Sequence, residues 1–304
     1  MKKTILGLIL IAALLPVNGA EAADKLKVAA SSTMFADLAK RIGGDNVDVT
    51  ALASPKFNIH FYQPTPTNVR NTAKADLFVF AGLDLEAWVD PLLEAAGKPE
   101  LFRGGSRNVD LSQGITLLKP PAGPLSRSMG DQHLFGNPHF NLNPENLRIM
   151  AGTLLEKFKE IDSSNAASYE ANTLRFEEEL DKKIREWKGL CSGCSGKEIV
   201  SYHEDIEYLA DFLGLKAEQF IESKPGIPPT PKHLQFMEGY IRDKGIKAIV
   251  LPTYYPRDAA DALARKVDAK VVTVCQNAGE VPGTEDVFGF FDYNVRQINE
   301  ALKS

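Results

Sequence analysis

The chain has 304 residues, 35 basic and 40 acidic side chains, and a formal charge of −5. That mildly acidic balance argues against a nucleic-acid partner, which needs a basic stripe. The length exceeds what one small core requires and predicts two lobes.

The N-terminus reads as an export leader over 1–22. Lys2 and Lys3 precede the apolar run 5–15, and Ala20-Glu21-Ala22 has the small-x-small cleavage pattern. The run is too short to span a bilayer, and no cysteine follows it to carry a lipid. The expected product is a soluble exported protein starting near Ala23, with a formal charge of −6 after loss of Lys2, Lys3 and Glu21. No later apolar run is long enough for a transmembrane helix.

Residues 26–30 read as a first strand, and Ser31-Ser32-Thr33 caps a helix ended by Gly43-Gly44. A second strand follows over 47–52. Thr67 opens a short helix, 76–81 is a buried strand, and 85–96 is a helix. The alternation implies parallel α/β packing. Residues 108–137 are rich in Gly, Pro and Ser and read as a long loop or ragged strands. Pro144 opens a helical region, and 163–188 contains a long amphipathic helix with Tyr169, Phe176, Leu180, Ile184 and Trp187 on one stripe. The pattern then restarts, with strands at 198–201, 248–251 and 271–274 and helices at 206–213, 231–244, 257–267 and 286–302. The expected fold is α/β: two lobes with parallel sheets joined by one long helix. Its expected division is an N-terminal lobe 23–143, a helical region 144–190 and a C-terminal lobe 191–304.

Cys191-Ser192-Gly193-Cys194 is a C-x-x-C pair in a Gly/Ser turn. An exported chain permits a local disulfide here; redox or metal binding are the alternatives, since one C-x-x-C alone is a weak zinc signal. Cys275 is the odd thiol.

Three histidines are the candidates for ligand chemistry, with a structural role for each as the alternative. His60 follows the second strand, His139 lies in the Pro-bounded turn 136–144, and His203 follows the strand 198–201. His60 and His203 sit at the carboxyl ends of strands, where open α/β sheets bind ligands. Three neutral imidazoles from separate segments suit a borderline metal. His233 reads as a helix residue. His133 reads as a solvated loop histidine, with metal capture at the cleft mouth as the alternative. The acceptors near enough to hold the rings are Asn58, Asn141, Asn143 and Glu204. No zinc-protease helix, nucleophile elbow, Walker loop or dinucleotide fingerprint is present.

At these residues the chain resembles the periplasmic metal-binding proteins of zinc and manganese ABC transporters. The run Gly136-Asn137-Pro138-His139-Phe140-Asn141-Leu142-Asn143-Pro144 is similar to that family's GNPHYWLDP signature. Ser201-Tyr202-His203 with Leu213-Gly214-Leu215 resembles its third histidine segment. Residues 222–229 resemble the EPKPGIPPSP stretch of one branch, and 291–295 its closing helix. The resemblance implies two α/β lobes, a rigid bridging helix, and His60, His139 and His203 as metal ligands in the cleft. Relatives often add a carboxylate after the last strand. Here Gln276-Asn277 stands there, leaving the fourth ligand open among a water, Cys275, Glu280, Asp286 and Tyr254 or Tyr255. The family's histidine-rich loop is reduced to His133.

Nitrogen donors favour Zn²⁺ over Mn²⁺. The leading expectation is a monomeric, non-enzymatic receptor that captures Zn²⁺ in the periplasm and hands it to a membrane permease. The expectation from another class is a zinc hydrolase with Glu204 as base; a surface adhesin is a third.

Overall fold

The computed structural model describes residues 24–120, 133, 135–224 and 226–303. The leader 1–22 lies outside the described residues. Among those described, no helix is long and apolar enough to cross a membrane.

The first half contains β1 (Leu26–Ala30), α1 (Thr33–Gly43), β2 (Val47–Ala51), α2 (Pro66–Lys74), β3 (Leu77–Phe80), α3 (Val89–Ala96) and β4 (Asn108–Asp110). Its strands form a parallel sheet in the order β2-β1-β3-β4. Two helices follow, α4 (Asn146–Ile161) and α5 (Ala166–Leu190). The second half contains β5 (Glu198–Ser201), α6 (Glu207–Phe212), β6 (Lys216–Phe220), α7 (Pro231–Lys244), β7 (Ala248–Pro252), α8 (Asp258–Val267), β8 (Lys270–Val274) and α9 (Val287–Leu302). Its sheet is also parallel, in the order β6-β5-β7-β8. The two-lobed α/β expectation therefore holds.

Local chemistry explains the boundaries. Ser32 accepts the Phe35 amide at the start of α1, Thr230 accepts the His233 amide at the start of α7, and Asp286 accepts the Gly289 amide at the start of α9. The central strand β3 is buried throughout, as strands covered on both faces are. Two strands escaped the sequence reading in different degrees: β4 lies within a stretch read as loop or ragged strands, and β6 was not anticipated. Both are edge strands. β4 has three residues, and β6 reads Lys-Ala-Glu-Gln-Phe with no fully buried position.

The long helix α5 fastens the halves together. Asn172 Nδ2 donates to the Ile42 carbonyl of α1 (3.0 Å), while Trp187 Nε1 donates to Asp292 of α9 (2.7 Å). Phe176 stacks on Phe288 at 5.6 Å, and Trp187 packs on Phe291 at 5.2 Å. One buried apolar cluster runs from Val28 and Phe35 through Trp187 to Val274 and Phe291. Direct bonds also join the halves: Thr33 Oγ1 donates to the Ala278 carbonyl (2.6 Å), and the Val287 amide donates to Asp37 (2.9 Å). Cys191 and Cys194 form a disulfide at the end of α5, and Cys275 is a free, buried thiol.

Trp187→Ala removes a filled volume and one of the two donors to Asp292, which keeps Lys183. It should cost about 3–5 kcal/mol in denaturant unfolding. Leu174→Ser, on the exposed face of the same helix, should stay within about 0.5 kcal/mol. Equal effects would contradict the fastening role of α5.

Candidate metal centre

The two sheets bring the carboxyl ends of their strands toward one another, and the histidines stand between. His60 lies on a short 3-10 turn, Ile59–Phe61, whose entry is fixed by Asn58 Oδ1 accepting the His60 amide (3.0 Å). His139 opens another, Phe140–Leu142. Gly136 has φ +120°, and a Cβ there would lie 3.2 Å from the Leu118 carbonyl oxygen. Only glycine fits that turn comfortably, and the next residue, Asn137, donates its amide to the same carbonyl (3.0 Å). His203 lies in the turn between β5 and α6.

His60 Nε2 and His139 Nε2 are 2.9 Å apart. The His139 and His203 ring centres are separated by 5.5 Å, and those of His60 and His203 by 6.0 Å. The structure thus brings together the three histidines singled out by sequence. It also brings in His133, which the sequence reading favoured as a solvated loop residue. Its side chain is only 8 % exposed, and its ring centre is 5.0 Å from that of His60. One ring nitrogen from each of His60, His133 and His139 lies within 4.8 Å of the others, and His203 stands outside that set. His233 is elsewhere, on α7, with Nε2 at the Phe220 carbonyl (2.9 Å).

Three rings are held through Nδ1. His139 Nδ1 meets Asn137 Oδ1 (2.8 Å), His203 Nδ1 meets Glu222 Oε2 (3.0 Å) and His133 Nδ1 meets Asp84 Oδ1 (3.0 Å). An acceptor on Nδ1 fixes the tautomer and leaves Nε2 as the lone-pair donor. Nε2 of both His133 and His203 is buried with no hydrogen-bond partner among the described residues. The ring acceptors anticipated from sequence are corrected. Asn141 donates to Met34 Sδ, Asn143 accepts the Glu145 amide, and the Glu204 carbonyl accepts from Asn137. Asn137, Glu222 and Asp84 hold the rings instead. Asn137 also bonds Glu207 on α6 (2.6 Å), so one amide ties a ring of the cluster to the second half.

Burial holds His60 well below the ordinary imidazole range, with the charges of His133 and His203 adding to it. Burial does the same to His139, followed by His60, His203 and His133. For His203 burial works in the same direction, but the Glu222 bond and the charges of Asp205, Glu222 and Glu204 outweigh it, and its pKa is raised.

The fourth-ligand candidates separate. Tyr254, Gln276 and Asn277 line a small cavity of about 10 Å³ with His60 and His139. Tyr255 stacks on Tyr202 at 4.3 Å, with its ring centre 6.3 Å from His203. Glu280 accepts the Gln276 and Asn277 amides and the Thr253 hydroxyl. The Cys275 thiol is buried and pushed up to about 12 by that burial. Asp286 caps α9 and pairs with Arg41 at 2.8 Å. A larger groove of about 640 Å³ lies between β4 and α4, lined by Arg103, Asp110, Lys157 and Glu160 and by no histidine.

The family described as "Zinc-uptake complex component A periplasmic" matches residues 28–301. A manganese ABC transporter substrate-binding lipoprotein, PsaA of Streptococcus mitis, is 26% identical over 272 residues, covering 82% of this chain and 84% of its own. The high-affinity zinc uptake system protein ZnuA of Bacillus subtilis is 24% identical over 282 residues, covering 92% and 87%. A crystal structure of a ZnuA shares the fold with a TM-score of 0.76 at 22% identity, covering 91% of this chain and 99% of that one. The chain belongs to this family: it is a metal-binding substrate-binding protein of an ABC transporter, and not an enzyme.

Proposed function

We infer that the protein captures Zn²⁺ in the periplasm and delivers it, as a monomer, to the permease of an ABC importer. His60, His139 and His203 are the ligands, and His133 stands beside them, its ring centre 5.0 Å from that of His60. The observation that carries this reading is the convergence of four imidazoles, three of them held through Nδ1, with the Nε2 atoms of His60 and His139 2.9 Å apart and those of His133 and His203 buried without a partner among the described residues. That is the donor set Zn²⁺ takes. Mn²⁺ prefers oxygen donors and binds the same nitrogen site more weakly. The second reading, a manganese receptor, rests on relatives such as the PsaA lipoprotein. The lobes divide at 23–143 and 191–304, with 144–190 bridging them, and the leader 1–22 directs export. The bonds of α5 to both halves favour small loop movements over wide closure on metal loss.

Calorimetric titration of metal-free protein tests the site. One tight Zn²⁺ equivalent is expected, with Mn²⁺ weaker. His60→Ala, His139→Ala and His203→Ala should each weaken Zn²⁺ by more than the roughly 10–100-fold that loss of an outer partner costs; His133→Ala should weaken it by about that much. Tight binding indifferent to all four changes would place the metal elsewhere, and tighter Mn²⁺ than Zn²⁺ would favour the second reading.

The pKa directions fix the order of proton competition. A ligating imidazole must be neutral. His60 and His139 are held neutral well below the ordinary range, so they add little near neutral pH. The pKa of His203 is raised, so protons compete there first as pH falls from neutrality. Glu222→Gln removes the charge that raises it. Zinc titrations from pH 8 to pH 5 should show weaker binding at pH 8 but a release midpoint moved to lower pH. An unmoved midpoint would contradict the assignment of His203 as the first proton competitor.

A further inference from the structure

The cleft holds several buried carboxylates, and all but one have work. Glu222 accepts from His203 and from the Gly226 amide (3.2 Å). Glu207 pairs with Lys119 and accepts from Asn137. Glu280 holds two amides and a hydroxyl. Glu86 accepts from Ser31 Oγ (2.5 Å) and the Ala81 amide (3.0 Å) through one oxygen. Asp205 differs. It is 1 % exposed, and neither of its oxygens has a hydrogen-bond partner in another described residue. A buried carboxylate without a partner is costly: it neutralises by taking a proton or is matched by a cation.

Its place in the fold says which cation. Asp205 lies two residues after His203, in the turn between β5 and α6. Its charge reaches His203, Tyr254 and Tyr255. Tyr254 in turn lines the small cavity with His60 and His139. His203 Nε2, two residues before it in sequence, also lacks a partner among the described residues. A divalent ion held by neutral imidazoles leaves two positive charges in a dry site, which needs an anion close by. The strand end β8, which carries Gln276 and Asn277, presents amides to the cavity and no carboxylate.

We propose that Asp205 is the charge-balancing carboxylate of the metal site, supplied from the β5–α6 turn and satisfied when the cation enters between the histidines. The proposal rests on the metal-receptor reading above. Asp205 then raises affinity for all divalent ions and, as an oxygen donor, favours Mn²⁺ proportionally more than a histidine does.

The test compares wild type, Asp205→Asn, Asp205→Ala and Asp205→Glu by competition titration with Zn²⁺ and with Mn²⁺. Unfolding temperatures are measured with chelator and with metal. Asp205→Asn and Asp205→Ala should weaken Zn²⁺ by about 10–100-fold and Mn²⁺ by more. Asp205→Glu should restore part of the loss. Without metal, the Asn variant should unfold no earlier than wild type, and the stabilisation conferred by metal should shrink. Unchanged affinity for both ions would overturn the proposal, as would equal loss of unfolding temperature with and without metal, the mark of a merely structural side chain. If one variant fails to fold, the others decide by the same criteria. A wild-type protein that takes up neither ion would sink the metal-receptor reading itself and the role of Asp205 with it; a binding wild type with indifferent variants would sink only the latter.

Discussion

Buried imidazole nitrogen without a proton or a partner is the constraint around which the cleft is organised. Each such atom costs about 1–3 kcal/mol when left unpaired. His133 and His203 carry one each, and His60 and His139 meet nitrogen to nitrogen at 2.9 Å. Protonation does not relieve His60 or His139, because burial and neighbouring imidazoles oppose the charge. A metal ion is the agent that satisfies several lone pairs at once. On the proposed reading, affinity arises from arranging donors that have no better alternative within the fold.

The rest of the molecule keeps those donors in place. Nδ1 bonds to Asn137, Glu222 and Asp84 set three rings, and each acceptor comes from a different segment. Asn137 bonds both a ring and α6, so its segment cannot shift without disturbing the second half. Behind the site, α5 is anchored to α1 by Asn172 and to α9 by Trp187. On the proposed reading, these bonds favour exchange of the cargo by local rearrangement of the turns that carry the histidines over movement of the halves.

Much of this was legible in the sequence. Caps at Ser32 and Thr230, the stripe from Tyr169 to Trp187, and the buried runs of β3 and β7 all follow from local chemistry and periodicity. β6 was not legible, because an edge strand buries one side only and Lys-Ala-Glu-Gln-Phe shows no apolar run. β4 was too short to stand out from its loop. Three of the clustered histidines could be read from their positions near strand ends and in a Pro-bounded turn. His133 was missed because nothing local distinguishes it; its burial depends on Asp84, 49 residues away in sequence. The ring acceptors were missed for the same reason. Glu222 lies 19 residues from His203, and proximity in sequence pointed to Glu204 instead. Asp205 carried no motif at all and stands out only once its neighbours are known.

The most direct test of the central claim is anomalous diffraction at the zinc edge from crystals of the zinc-loaded protein. The account predicts one strong peak at bonding distance, about 2.0–2.1 Å, from Nε2 of His60, His139 and His203. A peak in the groove between β4 and α4, or none between the two sheets, would contradict it.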